Sequence, residues 1–181
     1  EDKTKRYLLG DEVGLGKTIE ACLILREHIL RGSEDALAII SVPHELKRQW
    51  ISELTNRFYL GDLLDVRIFI CSHEKLSRAL EIQKPTMLVI DEAHQIAPYA
   101  WSDNEQQNEE FRSIAEIARQ VNTCLLLSGT PLSGNEENFL AMLHLLAPDS
   151  YSLDELGRKK FKKRLDEREV LGGMFQALVP T

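Results

Sequence analysis

Short apolar runs alternate along the chain with segments of helical periodicity. Continuous apolar runs without polar alternation predict buried strands at residues 7–9, 36–42, 66–71, 87–90 and 123–128. Between and after these runs, apolar residues recur three to four positions apart and predict helices at residues 17–30, 45–57, 73–80, 111–120 and 136–146. Strands of this kind, each followed by a helix, indicate an α/β fold with a mostly parallel sheet covered by helices on both faces. The polar, acidic stretch at residues 101–110 predicts an exposed loop.

Composition narrows the class of protein further. A chain of 181 residues, 43% apolar and 28% charged, suits one globular domain. No apolar run reaches the roughly 18 residues of a membrane helix, and we expect no membrane partner. The chain does not start with Met, which favours a piece of a longer protein. Three scattered cysteines indicate buried thiols in a reducing compartment, so we expect a cytoplasmic location. The net charge of −7 argues against a free-standing nucleic-acid binder.

A candidate phosphate-binding loop lies between the first apolar run and the first helix. Residues 14–18 are Gly-Leu-Gly-Lys-Thr, although Asp11 occupies the position of the first glycine in the full GxxxxGK[ST] pattern. Glycines let the backbone approach phosphates, and a helix N-terminus favours anions. Lys17 would contact the β- and γ-phosphates of a nucleotide, and the Thr18 hydroxyl would bind Mg²⁺. The alternative is a glycine-rich turn with a solvated lysine.

Two adjacent acids follow the apolar run at residues 87–90. Asp91 would hold Mg²⁺, through a water molecule, because this ion keeps much of its hydration shell. Glu92 would orient or deprotonate an attacking water, as hydrolysis of a phosphoanhydride requires. A polar cap at the end of a strand is the alternative interpretation.

Small polar residues follow the last apolar run. Ser128, Gly129 and Thr130 form a loop that could hydrogen-bond His94 and respond to the γ-phosphate. When this sequence is taken alone, a plain turn is the better explanation.

Together these segments resemble the motifs of the superfamily-2 helicases and, more closely, of the Swi/Snf-type DNA translocases. Residues 8–20 resemble motif I, residues 89–94 motif II and residues 127–135 motif III. The Swi/Snf group also lacks the first glycine of the phosphate loop, and bacterial members that recycle RNA polymerase are the most similar in wording. Motif I of the family assigns nucleotide binding to Asp11, Glu12, Val13, Gly14, Leu15, Gly16, Lys17 and Thr18.

The resemblance covers about residues 7–150 and implies a RecA-like lobe at residues 1–150. We expect residues 151–181 to form a helical extension toward a second lobe absent from this chain. The resemblance further implies ATP and Mg²⁺ as cofactors, ATP hydrolysis and movement along double-stranded DNA. Matches to the segments that contact nucleic acid lie at Pro43, Trp50, Ser72 and His73. Since the second lobe supplies arginine fingers worth on the order of 10³–10⁵ in rate, we expect this chain alone to hydrolyse ATP very slowly.

Two other functions stay open at this stage. One is a helicase that separates DNA or RNA strands with the same ATP site, and the other is a nucleotide-binding scaffold without turnover. The basic run at residues 158–164 either contacts phosphates or forms a solvated helix face, and the acids that follow it favour the solvated face. The adenine-reading motif of the family cannot be placed before residue 7.

Overall fold

The centre of the fold is a five-stranded, wholly parallel sheet. The computed structural model describes residues 4–10, 16–129 and 135–178, with side chains as far as residue 167. The strands are β1 (Lys5–Leu9), β2 (Ala38–Val42), β3 (Ile68–Ser72), β4 (Met87–Ile90) and β5 (Thr123–Leu127). Their spatial order is β1-β5-β4-β2-β3, so β1 and β3 form the two edges of the sheet. The predicted α/β fold with a parallel sheet is confirmed.

In the described part of the chain, six α-helices connect or follow the strands. They are α1 (Lys17–Arg31), α2 (Lys47–Ser52), α3 (Leu76–Ile82), α4 (Glu105–Gln120), α5 (Glu136–Leu146) and α6 (Glu155–Leu178). A 3₁₀ turn at His44–Leu46 precedes α2, and a π-helical turn at Glu53–Arg57 follows it. The segment predicted as one helix at residues 45–57 therefore consists of a 3₁₀ turn, an α-helix and a π-helical turn in succession. Within the described residues, no helix is both long enough and apolar enough to cross a bilayer.

The core has two apolar layers, one on each face of the sheet. Ala38, Ile40 and Val42 of β2 face the layer formed with α1 and α2, whereas Ile39 faces the layer formed with α4 and α5. All these strand residues are fully buried. Burial on both faces is the reason that the strands are continuous apolar runs without polar alternation.

Strand register brings one set of strand ends to the same edge of the sheet. Leu9 pairs with Leu127, and Ile90 pairs with both Leu126 and Ser41. Val42 likewise pairs with Ser72. The segments that follow β1, β5, β4, β2 and β3 therefore all leave the sheet at its carboxyl edge, where parallel α/β folds bind ligands.

The polar stretch at residues 101–110 is not the loop that its composition predicts. Helix α4 begins at Glu105, within that stretch. The side chain of Asn104 caps it by accepting hydrogen bonds from the backbone N–H groups of Gln106 and Gln107, at 3.0 and 3.4 Å. The apolar periodicity starts only at Phe111 because the first turns of α4 face solvent. A local capping signal therefore outweighs a polar composition.

Helix α6 packs on α5 through an aromatic cluster. Phe161 is 8% exposed, and its ring lies 5.9 Å from that of Phe139 and 6.3 Å from that of Tyr151, between centroids. The basic run lies on this helix, and Lys159 pairs with Glu155 on the exposed face. Arg158 pairs with Glu137 and lies over the ring of Trp101. These contacts favour the interpretation of the run as a charged helix face.

Candidate active site

A cleft of about 350 Å³ opens at the carboxyl edge of the sheet, between the start of α1 and the end of β4. Its first wall consists of Gly16, Lys17 and Thr18, and Asp91 and Glu92 lie opposite. Ile19 of α1 also lines the cleft, and the remaining lining comes from the helical segment after β2: Leu46, Gln49, Trp50 and Glu53. The cleft thus joins two of the sequence motifs, which are separated in the chain by residues 21–88.

The first wall depends on the backbone conformation of Gly16. This residue lies in the left-handed region at φ 96°, and its carbonyl accepts the first helical hydrogen bond of α1 from Glu20, at 3.0 Å. A side chain at this φ would be strained, which explains glycine here although no atom of the described residues lies within 4 Å of the Cβ position. The N-terminus of α1 therefore faces the cleft, and its N–H groups and dipole favour an anion there. Lys17, only 9% exposed, begins the helix.

The opposite wall holds a buried carboxylate in a defined orientation. Asp91 is 5% exposed. Its Oδ2 accepts a hydrogen bond from the indole Nε1–H of Trp50 at 2.8 Å, and its Oδ1 accepts one from the backbone N–H of Glu92 at 2.9 Å. Burial raises the pKa of Asp91, and the charge of Glu92 adds to this effect. The two N–H donors and the Lys17 ammonium act in the opposite direction, but burial prevails and the pKa of Asp91 stays above its ordinary value.

Glu92 has an unusual backbone for a residue with a side chain. It lies in the left-handed region at φ 47° and ψ 47°, where strained residues cluster at functional sites. Its Oε2 lies 3.3 Å from His94 Nδ1 and accepts a hydrogen bond from the Gly129 N–H at 3.5 Å. His94 Nδ1 also lies 3.3 Å from the hydroxyl of Ser128, which is fully buried. The segments after β4 and β5 are therefore connected directly.

The donor set fits a magnesium-bound nucleotide. Thr18 offers a hydroxyl and Asp91 a carboxylate, and Mg²⁺ prefers oxygen ligands of this kind. Among the described residues, no cluster of three or more His, Cys, Asp or Glu side chains could enclose a metal.

A second cavity, of about 200 Å³, lies at the ends of β2 and β3. It brings together Pro43, Ser72 and His73, three of the residues predicted to contact nucleic acid. His73 Nδ1 lies 2.7 Å from the hydroxyl of Ser41, which is fully buried in β2. The other lining residues are His44, Glu45, Glu74, Gln95 and Tyr99.

Trp50, the fourth of those residues, does not line this second cavity. Its side chain is 1% exposed and points toward Asp91, so the indole is not available to stack on a base. The sequence-based expectation for Trp50 is therefore corrected: the residue belongs to the wall of the first cleft. The predicted positions Asp11, Glu12, Val13, Gly14, Leu15 and Thr130 lie outside the described residues.

The sequence did not reveal two features of this cleft. The hydrogen bond from Trp50 to Asp91 joins residues 41 positions apart, and no periodicity signals such a pair. Glu53 also lines the cleft, from the π-helical turn after α2. Turns of this type are rare and frequently occur at functional sites, but they have no sequence signature that could have identified it.

Similar proteins place this architecture in a family. The SNF2-related domain matches residues 62–174. The RNA polymerase-associated protein RapA of Yersinia enterocolitica is 35% identical over 170 residues, which cover 81% of this chain and 17% of that protein. The RapA protein of Yersinia pseudotuberculosis matches with the same identity and coverage. The chain thus spans about 17% of the length of these relatives.

A solved structure shares the fold. The Sulfolobus solfataricus SWI2/SNF2 ATPase core in complex with dsDNA superposes with a TM-score of 0.62 at 20% sequence identity. The match covers 88% of this chain and 38% of that one. The order of the motifs, the parallel sheet and the matching family domain all agree, and the chain therefore belongs to the SNF2-related family as a RecA-like lobe of the Swi/Snf-type, superfamily-2 group.

Proposed function

We propose that this chain is the ATP-binding lobe of an ATP-dependent DNA translocase, which hydrolyses ATP to ADP and phosphate when it is joined to a second lobe. One observation carries the proposal: Lys17, Thr18, Asp91 and Glu92 line a single cleft at the carboxyl edge of the sheet. A lysine and a hydroxyl at a helix N-terminus, opposite two acids, form the combination that phosphoryl transfer from a magnesium nucleotide requires.

Each residue has a role in this proposal. The Lys17 ammonium contacts the β- and γ-phosphates, together with backbone N–H groups of residues 11–16. Thr18 and Asp91 would hold the metal, Asp91 through a water molecule. A magnesium ion held there would supply positive charge that offsets the charge of the phosphates. Glu92 orients the attacking water and accepts its proton, which its 23% exposed side chain can do from the wall of the cleft.

The loop after β5 couples nucleotide state to the rest of the lobe. His94, Ser128 and Gly129 contact one another or Glu92 at 3.3–3.5 Å, so a change at Glu92 reaches this loop without an intermediary. We propose the same coupling role for Thr130, the third residue of the loop predicted from the sequence. The contacts argue against a plain turn, because a turn alone requires no bond to the acid that orients the water.

Double-stranded DNA is the proposed nucleic acid, contacted by Pro43, Ser72 and His73. They line one cavity at the strand ends next to the nucleotide cleft, so a single edge of the sheet could bind both ligands. Contacts from hydroxyl and backbone groups suit a lobe with a net charge of −7, because they need no added basic residues. We place this activity in the cytoplasm and in the full-length protein.

Nucleotide binding by the 181-residue chain tests the first half of the proposal. Isothermal titration with ATP and Mg²⁺ should give binding that Lys17→Ala reduces by about tenfold or more, since the variant loses a charge-assisted phosphate contact. Lys84→Ala is the matched control, because Lys84 is exposed and precedes the opposite end of β4. Equal affinities for all three proteins would refute the nucleotide site.

Hydrolysis in the full-length protein tests the second half. Turnover should rise on addition of duplex DNA, and Glu92→Gln should abolish this turnover while nucleotide binding persists. Stimulation by single strands or RNA alone would instead favour a strand-separating helicase. Unchanged turnover in Glu92→Gln would favour a nucleotide-binding scaffold that does not use this acid.

A further inference from the structure

We propose that Trp50 is a positioning residue for the metal site, because its indole N–H holds one oxygen of Asp91 and so sets the direction in which this carboxylate faces the cleft. This inference rests on the proposed function, since it concerns the acid to which we assign Mg²⁺. It adds a residue to the site that belongs to no motif for phosphate or metal binding. Trp50 itself touches neither the metal nor the nucleotide in this proposal.

The geometry of the pair supports a fixed carboxylate. Trp50 is 1% exposed and Asp91 is 5% exposed, so water does not compete for their hydrogen bond of 2.8 Å. Each carboxylate oxygen accepts one N–H, Oδ2 from the indole and Oδ1 from the backbone of Glu92. Two donors on different oxygens define both the plane and the rotation of the group. A carboxylate oxygen has a second lone-pair site, so acceptor capacity remains for a metal-bound water.

A neutral donor is the suitable partner at this position. Glu53 and Glu92 line the same cleft as Asp91, so the wall is acidic and repels a poorly held carboxylate. A lysine or arginine would also hold Asp91, but its positive charge would compete with Mg²⁺ for the same oxygens. The indole provides a single N–H and no charge, and therefore orients the acid while leaving its negative charge for the cation.

Packing alone does not explain this hydrogen bond. The chain has two tryptophans, and the other, Trp101, has its Nε1 buried with no hydrogen-bond partner among the described residues. This fold therefore accepts a buried indole N–H without an acceptor. At Trp50 the N–H instead points at an acid of the candidate site. Partners that orient metal ligands in this way typically contribute 10–100-fold to metal affinity.

The test compares Trp50→Phe with Trp101→Phe in the 181-residue chain. Both changes remove an indole N–H and keep an aromatic ring, but only the first removes a bond to Asp91. Binding of a fluorescent ATP analogue is measured across a Mg²⁺ titration and again in EDTA. We expect Trp50→Phe to need about tenfold more Mg²⁺ than the wild type for half-maximal binding. We expect its metal-free affinity, and both quantities in Trp101→Phe, to stay at wild-type values.

A second measurement needs no substitution at Trp50. The indole N–H of Trp50 gives its own ¹⁵N–¹H NMR signal, assigned by the loss of the other signal in Trp101→Phe. This signal should shift when Mg²⁺ and the ATP analogue are added together, and it should shift in Asp91→Asn, since both changes alter its acceptor. The signal of a purely structural tryptophan would not change when the metal binds, so this NMR measurement tests the positioning role even if Trp50→Phe fails to fold.

The outcomes separate the two claims. If the wild type binds the analogue, but Trp50→Phe keeps the wild-type Mg²⁺ dependence and the indole signal does not move, only the positioning role is overturned. If the wild type binds no nucleotide with or without Mg²⁺, the proposed function fails, and this inference fails with it. A raised Mg²⁺ requirement confined to Trp50→Phe, with a metal-dependent indole signal, supports both.

Discussion

The protein should lose stability when the pH falls from 7 to 5, and replacing His73 with glutamine should make this loss smaller. His73 is largely buried at the end of β3, where its Nδ1 lies 2.7 Å from the Ser41 hydroxyl. Burial lowers the pKa of this imidazole from the model-peptide value of 6.5 to about 4. Nearby His94 also lowers it, whereas the backbone of Asp91 and the carboxylate of Glu45 act in the opposite direction.

The free energy of unfolding falls with the pH because the pKa of His73 differs between the folded and the unfolded state. The folded state holds His73 neutral down to pH 4, while the unfolded chain takes up the proton below about pH 6.5. The stabilising contribution is therefore complete above pH 6.5 and is lost as the pH falls toward 4. Integrating the proton uptake gives a loss of roughly 2 kcal/mol between pH 7 and pH 5 from this one residue.

Urea unfolding followed by circular dichroism provides the assay. The free energy of unfolding is measured at pH 7 and at pH 5 for the wild type and for His73→Gln, and the two pH-dependent losses are compared. Comparing losses removes the constant effect of the altered bond to Ser41. His44→Gln is the control, since this exposed histidine lies on the neighbouring turn and the variant should retain the wild-type loss. A loss in His73→Gln as large as that of the wild type would refute the reasoning.

Three further substitutions probe the elements that form the site and its support. Gly16→Ala should destabilise the chain by about 1–2 kcal/mol because alanine is strained at this left-handed φ. No atom of the described residues lies within 4 Å of the new Cβ, so no steric clash is added. Unchanged urea unfolding would contradict this prediction. Arg67→Lys should lower the free energy of unfolding by about 1–3 kcal/mol. The guanidinium donates hydrogen bonds to three carbonyls, those of Ile29, Ser33 and Ala36, and an ammonium cannot donate in the same geometry. The control is Arg48→Lys, at an exposed position. Phe161→Ala should cost about 2–4 kcal/mol and lower the melting temperature, because the ring attaches α6 to α5; a wild-type melting temperature would show that this contact is not stabilising.

Sequence alone determined the fold class and the position of the chemically important segments. Apolar runs are continuous where a strand is buried on both faces, and the periodicity changes where a helix begins, so both signals are local. The phosphate loop lies between the first such run and the first helix, and the paired acids after β4 and the hydroxyl after β5 follow their runs directly. Because parallel strands end at one edge of a sheet, their convergence on a common region was also predictable.

Only the tertiary structure decided which side chains meet within that region. The order β5-β4-β2 places α2 against the end of β4 and gives Trp50 its bond to Asp91, and no pattern along the chain specifies that order. The pairing of β2 with β3 brings Ser41 to His73. Contacts of this kind arise from the packing of elements distant in sequence, whereas periodicity and turn signals report only what each segment does with its immediate neighbours.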